Sequence, residues 1–153
     1  MISRRRSREF LLQMLYSRTN MGTDFSRDTF LEAYFEEENM EYLDTAYVDQ
    51  METFILEHEA ELLSYISLLA PKFELETMPS IHILILMVAL SEMLYFQVID
   101  AIPVAVSVNE AIELAKRFSD DHGKVFINGS LSTFLKDREK ILTPSERTTF
   151  RIF

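Results

Sequence analysis

A chain of 153 residues that is 48% hydrophobic and 12% aromatic is too apolar for a disordered tract and large enough to bury a core without staples. It has no cysteine, which excludes disulfides, thiolate metal sites and cysteine nucleophiles, and only three glycines, too few for a phosphate-cradling loop. Its 25 acidic residues against 15 basic ones, a formal net charge of −10, argue against general attraction to a polyanion.

Helical periodicity runs almost throughout. The first helix is predicted over residues 4–19, with Ser7, Leu11, Met14 and Leu15 on one face and Phe10 and Leu12 at its shoulders. Met21, Gly22 and Thr23 break it. A second helix covers about 25–37 and turns Phe30, Leu31, Tyr34 and Phe35 inward. A third is predicted as one long element from Asp44 to Leu69, carrying Val48, Met51, Ile55, Leu62, Ile66 and Leu69, with Pro71 marking its end. Pro79 suits the first turn of a fourth helix that runs to about Phe96. Its apolar stretch, Ile81 to Leu90, is half the length of a membrane span and reads as the buried centre of a bundle. Ile102-Pro103 opens a fifth helix, with a stripe of Val108, Ala111, Ile112 and Ala115. Asp120 or Asp121 caps a sixth, carrying Phe126, Ile127, Leu131, Phe134 and Leu135. The residues after Thr143-Pro144 read as a mobile tail. The expected fold is therefore all-α, with residues 1–73 and 74–142 as two packed subdomains of one unit and 143–153 as tail.

Charge is unevenly spread. Residues 1–27 hold six arginines and two acids, residues 28–101 one lysine and sixteen acids, and residues 102–153 eight basic and seven acidic residues. Arg4, Arg5, Arg6 and Arg8 crowd the start of the first helix, where the helix dipole disfavours cations. A single Arg5–Glu9 pair at i, i+4 spacing contributes only about 0.2–0.5 kcal/mol. The cluster calls for an anion, either the acidic middle of the chain or a phosphate backbone gripped by guanidinium forks. On the same helix Gln13 offers a base-edge contact and Tyr16 a stacking surface, set against readings as a solvated glutamine and a core-edge tyrosine. No zinc-protease, serine-hydrolase, P-loop or dinucleotide motif is present, and His58 reads as part of a solvated acidic face and His82 as a core histidine. An enzyme, a cofactor and a metal site are not expected. Glu9, Gln13 and Arg18 interrupt the start of the chain, so it does not read as a signal peptide, and a cytoplasmic location is expected.

Three blocks carry a family resemblance. Arg4-Arg5-Arg6-Ser7-Arg8-Glu9 followed by Gln13-Met14-Leu15-Tyr16, then Val108-Asn109-Glu110-Ala111-Ile112-Glu113-Leu114-Ala115-Lys116, then Phe126-Ile127-Asn128-Gly129-Ser130-Leu131, resemble in order and spacing the NusB-type transcription antitermination factors. The resemblance implies an all-helical bundle of six to seven helices in two subdomains. It also implies binding of a boxA-type single-stranded RNA jointly with NusE, a small-subunit ribosomal protein, and action on elongating RNA polymerase at ribosomal RNA operons. Arg4, Arg5, Arg6 and Arg8 would hold phosphates, with Gln13 and Tyr16 beside them. Glu92, Phe126 and Asn128 are the candidate partner contacts, Phe126 being open between core packing and an exposed anchor. Asn109 is read as a cap or backbone bridge at the start of its helix, and Gly129 as a point of close helix approach. A monomer or a homodimer is expected. The chain departs from the family's pattern with His82 and Met87 in the central helix, Ser91 before Glu92, and Val125 before Phe126, which predicts a drier core and an altered partner face. Two alternatives stand beside this reading: an interaction module of the same fold that has lost RNA binding, and the RNA-binding domain found fused to RNA cytosine methyltransferases.

Overall fold

A computed structural model describes residues 1–37, 40–96, 102–137 and 148–153, with side chains 35–37 also outside the description. Among the described residues there are seven α-helices and no strand: α1 Arg4–Met21, α2 Arg27–Glu37, α3 Thr45–Glu57, α4 Glu59–Leu69, α5 Ser80–Ser91, α6 Val104–Phe118 and α7 Asp121–Lys136. Local chemistry sets the boundaries. Ser3 Oγ accepts from the Arg6 amide, Asp44 Oδ1 from the Tyr47 amide and Asp120 Oδ1 from the Gly123 amide, each meeting an otherwise unpaired donor at a helix start. Gly22 ends α1 at φ +57°, a conformation that suits glycine, with its amide on the Arg18 carbonyl.

Helix α5 is the centre. Ile83 to Leu90 are all buried, and α5 packs against α1, α3, α4, α6 and α7. A helix that is apolar on every side belongs inside such a bundle. No helix among the described residues is long and apolar enough to cross a membrane. The predicted inward faces of α1 and of the 44–69 segment are buried as expected, and Phe30, Leu31 and Tyr34 of α2 pack on the core. Phe35 lies outside the described side chains.

Several expectations need correction. The single helix from 44 to 69 is two, broken at His58 (φ −113°, ψ 22°). His58 is not part of a solvated face: its Nδ1–H donates to the Phe54 carbonyl (2.9 Å), and its ring stacks on Tyr95 with centroids 4.3 Å apart. With no glycine or proline there, the break has no local marker. Pro79 is the residue before the first turn of α5, not inside it. The helix also does not run uniformly to Phe96: Glu92–Phe96 form a π-helical turn, and Glu92, its first residue, is buried. The final residues are not loose. The amides of Ile152 and Phe153 donate to Glu59 Oε2 (2.7 and 3.0 Å), Thr148's amide reaches Ser64 Oγ (3.3 Å), and Ile152 is buried. Residues 143–147 of the predicted tail are outside the description. Of the family departures, Met87 is fully buried, and the buried Ser91 hydroxyl has no hydrogen-bond partner among the described residues.

Candidate nucleic-acid interface

Helix α1 advances about 100° per residue, so its four leading arginines diverge. Arg8 turns inward and is 4% exposed. Its Nε and Nη2 donate to the two carboxylate oxygens of Glu92 at 2.6 and 3.0 Å. Glu92, 1% exposed, also accepts from the Tyr47 hydroxyl (2.5 Å) and the Ser107 hydroxyl (2.8 Å). Burial would lower the Arg8 pKa, but its hydrogen bonds to Glu92 and the negative charges of Glu92 and Glu110 more than offset it and hold it raised. Burial and the neighbouring Glu92 charge push the Tyr47 hydroxyl well above the ordinary tyrosine value, so it remains a proton donor to that carboxylate.

These contacts correct two expectations. Arg8 does not face a phosphate, because its fork is filled by Glu92 inside the bundle. Glu92 does not face a partner protein, because it is sealed beneath α1, α3 and α6. A buried arginine needs a buried carboxylate, and Glu92, at the start of the π-helical turn, is that carboxylate.

The other three arginines lie further out. Arg4 Nη2 meets Asp44 Oδ2 at 3.0 Å, and its guanidinium lies 4.4 Å from the Tyr47 ring centroid. Arg5 forms a two-pronged pair with Glu110 of α6, Nε to Oε2 at 3.1 Å and Nη2 to Oε1 at 3.0 Å, while its side chain stays 54% exposed. Glu110's hydrogen bonds and charge raise the Arg5 pKa. Arg5 therefore pairs with Glu110 rather than with Glu9, whose carboxylate lies 3.6 Å from Arg117. Arg6 is exposed, its guanidinium 3.7 Å from the centroid of the Tyr42 ring. Further along, Arg18 and Arg27 both reach Glu52, and Arg27 also Asp49. Much of the basic start is thus answered by the acidic middle, through contacts between residues 22 to 84 positions apart that no sequence window contains, while Arg5 is answered by Glu110, 105 positions away.

Two grooves run along the outer side of α1. A polar one of ≈ 280 Å³ is lined by Arg6, Glu9, Gln13, Tyr34, Tyr42 and Arg117. A more apolar one of ≈ 390 Å³ is lined by Leu12, Gln13, Tyr16, Phe30, Ile81 and Phe118, with Ser17. Gln13 belongs to both. Arg6, Gln13 and Tyr16 are therefore brought onto one continuous surface, joined by Arg117, Tyr34 and Tyr42, which the sequence reading missed. Arg117 directly follows the quoted 108–116 block, so the extension of that helix by one residue was the available signal.

The remaining candidates lie elsewhere. Phe126 is half-buried, packed edge-on to Phe73 (5.5 Å) and stacked on His82 (5.8 Å); Asn128 is exposed on the same helix. His82 shares a 2.6 Å hydrogen bond with Ser119 Oγ, and burial lowers its pKa. Asn109 is exposed in the second turn of α6, which starts at Val104, so it does not cap that helix. Gly129 is exposed, and a Cβ there would meet nothing within 4 Å. The close approach belongs instead to Gly123, where a Cβ would collide with Ser119 and the His82 ring. Among the described residues no cluster of acids and histidines could hold a metal ion.

An all-helical bundle wound on one apolar helix, with an arginine-led first helix latched onto the helix that carries Asn109 and Glu110, defines the class. The chain belongs to the NusB family, whose model matches residues 5–136. It is 35% identical over 139 residues to the transcription antitermination protein NusB of Bacillus subtilis, covering 91% of this chain and 99% of that protein. It is 30% identical over 138 residues to the protein of the same name from Finegoldia magna, covering 90% and 97%. The structure of T. maritima NusB superposes with a TM-score of 0.73 at 26% identity, covering 94% of this chain and 100% of that one.

Proposed function

We propose that this chain is a transcription antitermination factor that binds single-stranded RNA along the outer side of α1. The shared name of its relatives supports the antitermination role. The observation that carries the RNA reading is the meeting of Arg6, Gln13 and Tyr16 with Arg117 across two adjoining grooves. Guanidinium groups grip phosphates, aromatic faces take unstacked bases, and an amide reads base edges. Arg5 and Arg6 are the principal phosphate contacts, and Arg4, half-buried against Asp44, is secondary.

The RNA is a boxA-type element, bound jointly with the ribosomal protein NusE, and the assembly acts on elongating RNA polymerase at ribosomal RNA operons in the cytoplasm. A basic ribosomal partner suits the acidic surface of residues 28–101, with Phe126 and Asn128 of α7 as candidate contacts. Fluorescence anisotropy with boxA-like and scrambled single-stranded RNA, with and without NusE, tests this. Tighter binding of the boxA-like strand, strengthened by NusE, is the expected result; equal and negligible binding of both would sink it.

One observation favours a second reading. Arg4, Arg5 and Arg8 are each held by a carboxylate of the same chain. An interaction module that kept the fold and lost RNA binding would show the same pairing, and would bind the protein partner without RNA.

A further inference from the structure

We propose that the face of α4 from Glu59 to Leu68 is a docking surface for a peptide segment of another protein, and that residues 148–153 of this chain are its resident occupant, displaced when that partner binds. Residues 148–153 adopt neither helix nor strand, yet they are held against α4 at both ends. At one end the Thr148 amide donates to Ser64 Oγ at 3.3 Å. At the other the successive amides of Ile152 and Phe153 converge on a single carboxylate oxygen, Glu59 Oε2, at 2.7 and 3.0 Å. Glu59 stands in the first turn of α4, where the helix dipole favours a carboxylate. Ser64 spends its own proton on the Ala60 carbonyl (2.8 Å), which leaves its oxygen as an acceptor on that face. All three contacts grip main-chain N–H groups, which every residue but proline supplies.

Side chains set the choice among peptides. Ile152 is buried in the core cluster, and Phe150 and Phe153 pack against it, partly buried. Thr149 and Arg151 are exposed, and Arg151 Nη1 turns back to the Thr148 and Phe150 carbonyls at 3.1 and 2.7 Å. The surface therefore selects an aromatic residue, a spacer, then two apolar residues. The resident segment leaves Leu68 open: one helical turn beyond Ser64 on the same side of α4, it is 42% exposed. That step is about 6 Å along the helix, a span that two residues of peptide cover. The position two before Thr148 in this chain is Glu146, flanked by Ser145 and Arg147, so the sequence offers Leu68 no apolar side chain there. A partner segment with an apolar residue at that position would make every contact of the resident one and cover Leu68 as well. That difference in affinity is what lets a free peptide displace a tethered one, whose effective concentration is roughly millimolar.

Peptide competition tests this on the full chain. Two dye-labelled peptides are compared by anisotropy, one with the sequence of residues 145–153 and one carrying Glu146→Leu. The leucine peptide should bind about tenfold more tightly, the scale of one buried leucine side chain. Leu68→Asp, at an exposed site, should erase that difference and leave binding of the natural peptide unchanged. Ile152→Asp, which loosens the resident segment, should tighten both peptides by at least about tenfold, because the tethered competitor is lost. Hydrogen exchange on the wild-type chain gives a readout that does not depend on how that variant folds: with the leucine peptide bound, the chain's own Ile152 and Phe153 amides should exchange faster. Failure of the leucine peptide to bind either the wild type or a folded Ile152→Asp chain overturns the proposal and leaves residues 148–153 as part of the fold. Binding that leaves exchange at Ile152 and Phe153 unchanged places the peptide elsewhere and overturns it too. Dimers of the wild-type chain that the leucine peptide dissociates would make a second copy the occupant and overturn the assignment to another protein. None of these outcomes depends on RNA binding.

Discussion

Arg8 and Glu92, 84 positions apart in sequence, meet as a two-pronged ion pair with neither side chain more than 5% exposed. Tyr47 and Ser107 donate to the same carboxylate, so one glutamate ties α1, α3 and α6 to the π-helical turn. The outer arginines are carried on a helix anchored from beneath by this pair. Removing one member of a buried pair strands the other charge, at a cost of about 3–5 kcal/mol. Arg8→Ala is therefore expected to lose about that much stability in urea denaturation. A loss under about 1 kcal/mol would mean that water reaches Glu92.

Arg5 and Arg6 should matter for RNA in a way that Arg8 does not. Replacing both with Ala should weaken boxA-like and scrambled strands by similar factors, because phosphate contacts carry no sequence information. Each lost single-strand contact should flatten the salt slope by about 0.7. Stability should change little, since the Arg5–Glu110 pair is exposed on its arginine side and screened by water. Unchanged affinity and slope in a folded double mutant would shift the balance to the interaction-module reading.

The central helix gives a packing test. Leu86 is fully buried in α5, so Leu86→Ala should cost about 2–5 kcal/mol through lost transfer energy and the cavity left behind. Thermal or urea unfolding measures it, and a cost near that of a surface change, about 0.5 kcal/mol, would contradict the burial.

The two glycines of α7 should respond in opposite directions. At Gly123 a new Cβ meets Ser119 and His82, so Gly123→Ala should destabilise and disturb the His82–Ser119 hydrogen bond. At Gly129 the space is open and the backbone is helical, so Gly129→Ala should stabilise by about 0.4–1 kcal/mol. Equal effects at the two sites would contradict the packing described for α7.

His82 sets a pH dependence. Burial lowers its pKa below the ordinary 6.5, with Asp120 partly opposing the shift. The unfolded chain then binds a proton more readily than the folded one, so this contribution to stability is present above about pH 6.5 and declines as pH falls toward the folded value. Comparing the pH profile of stability with that of His82→Gln isolates it; identical profiles would exclude the effect. Asp120 titrates in a separate window, because its hydrogen bond from the Gly123 amide holds its pKa below the ordinary carboxylate value, and the stability it adds is lost only in stronger acid.

Much of the fold was legible in the sequence because helix formation is decided locally. The spacing of Leu11, Met14 and Leu15, the Asp120 cap, the continuous apolar run Ile81 to Leu90 and the scarcity of glycine each carry their own physical cause within a few residues. The three sequence blocks likewise pointed to the NusB family without any contact being known. What the tertiary structure alone decided is where each charge is answered. Arg8 and Arg5 have similar sequence surroundings, yet one is buried against Glu92 and the other sits at the surface against Glu110, because the helix rotation directs one inward and the packing of α6 meets the other. The His58 break, the burial of Glu92 and the docking of Ile152 on Glu59 involve partners 37 to 93 positions away, where periodicity has no reach. The pairing of Arg6 with Arg117 around one groove is of the same kind: it exists only because α1 and α6 are brought side by side over α5.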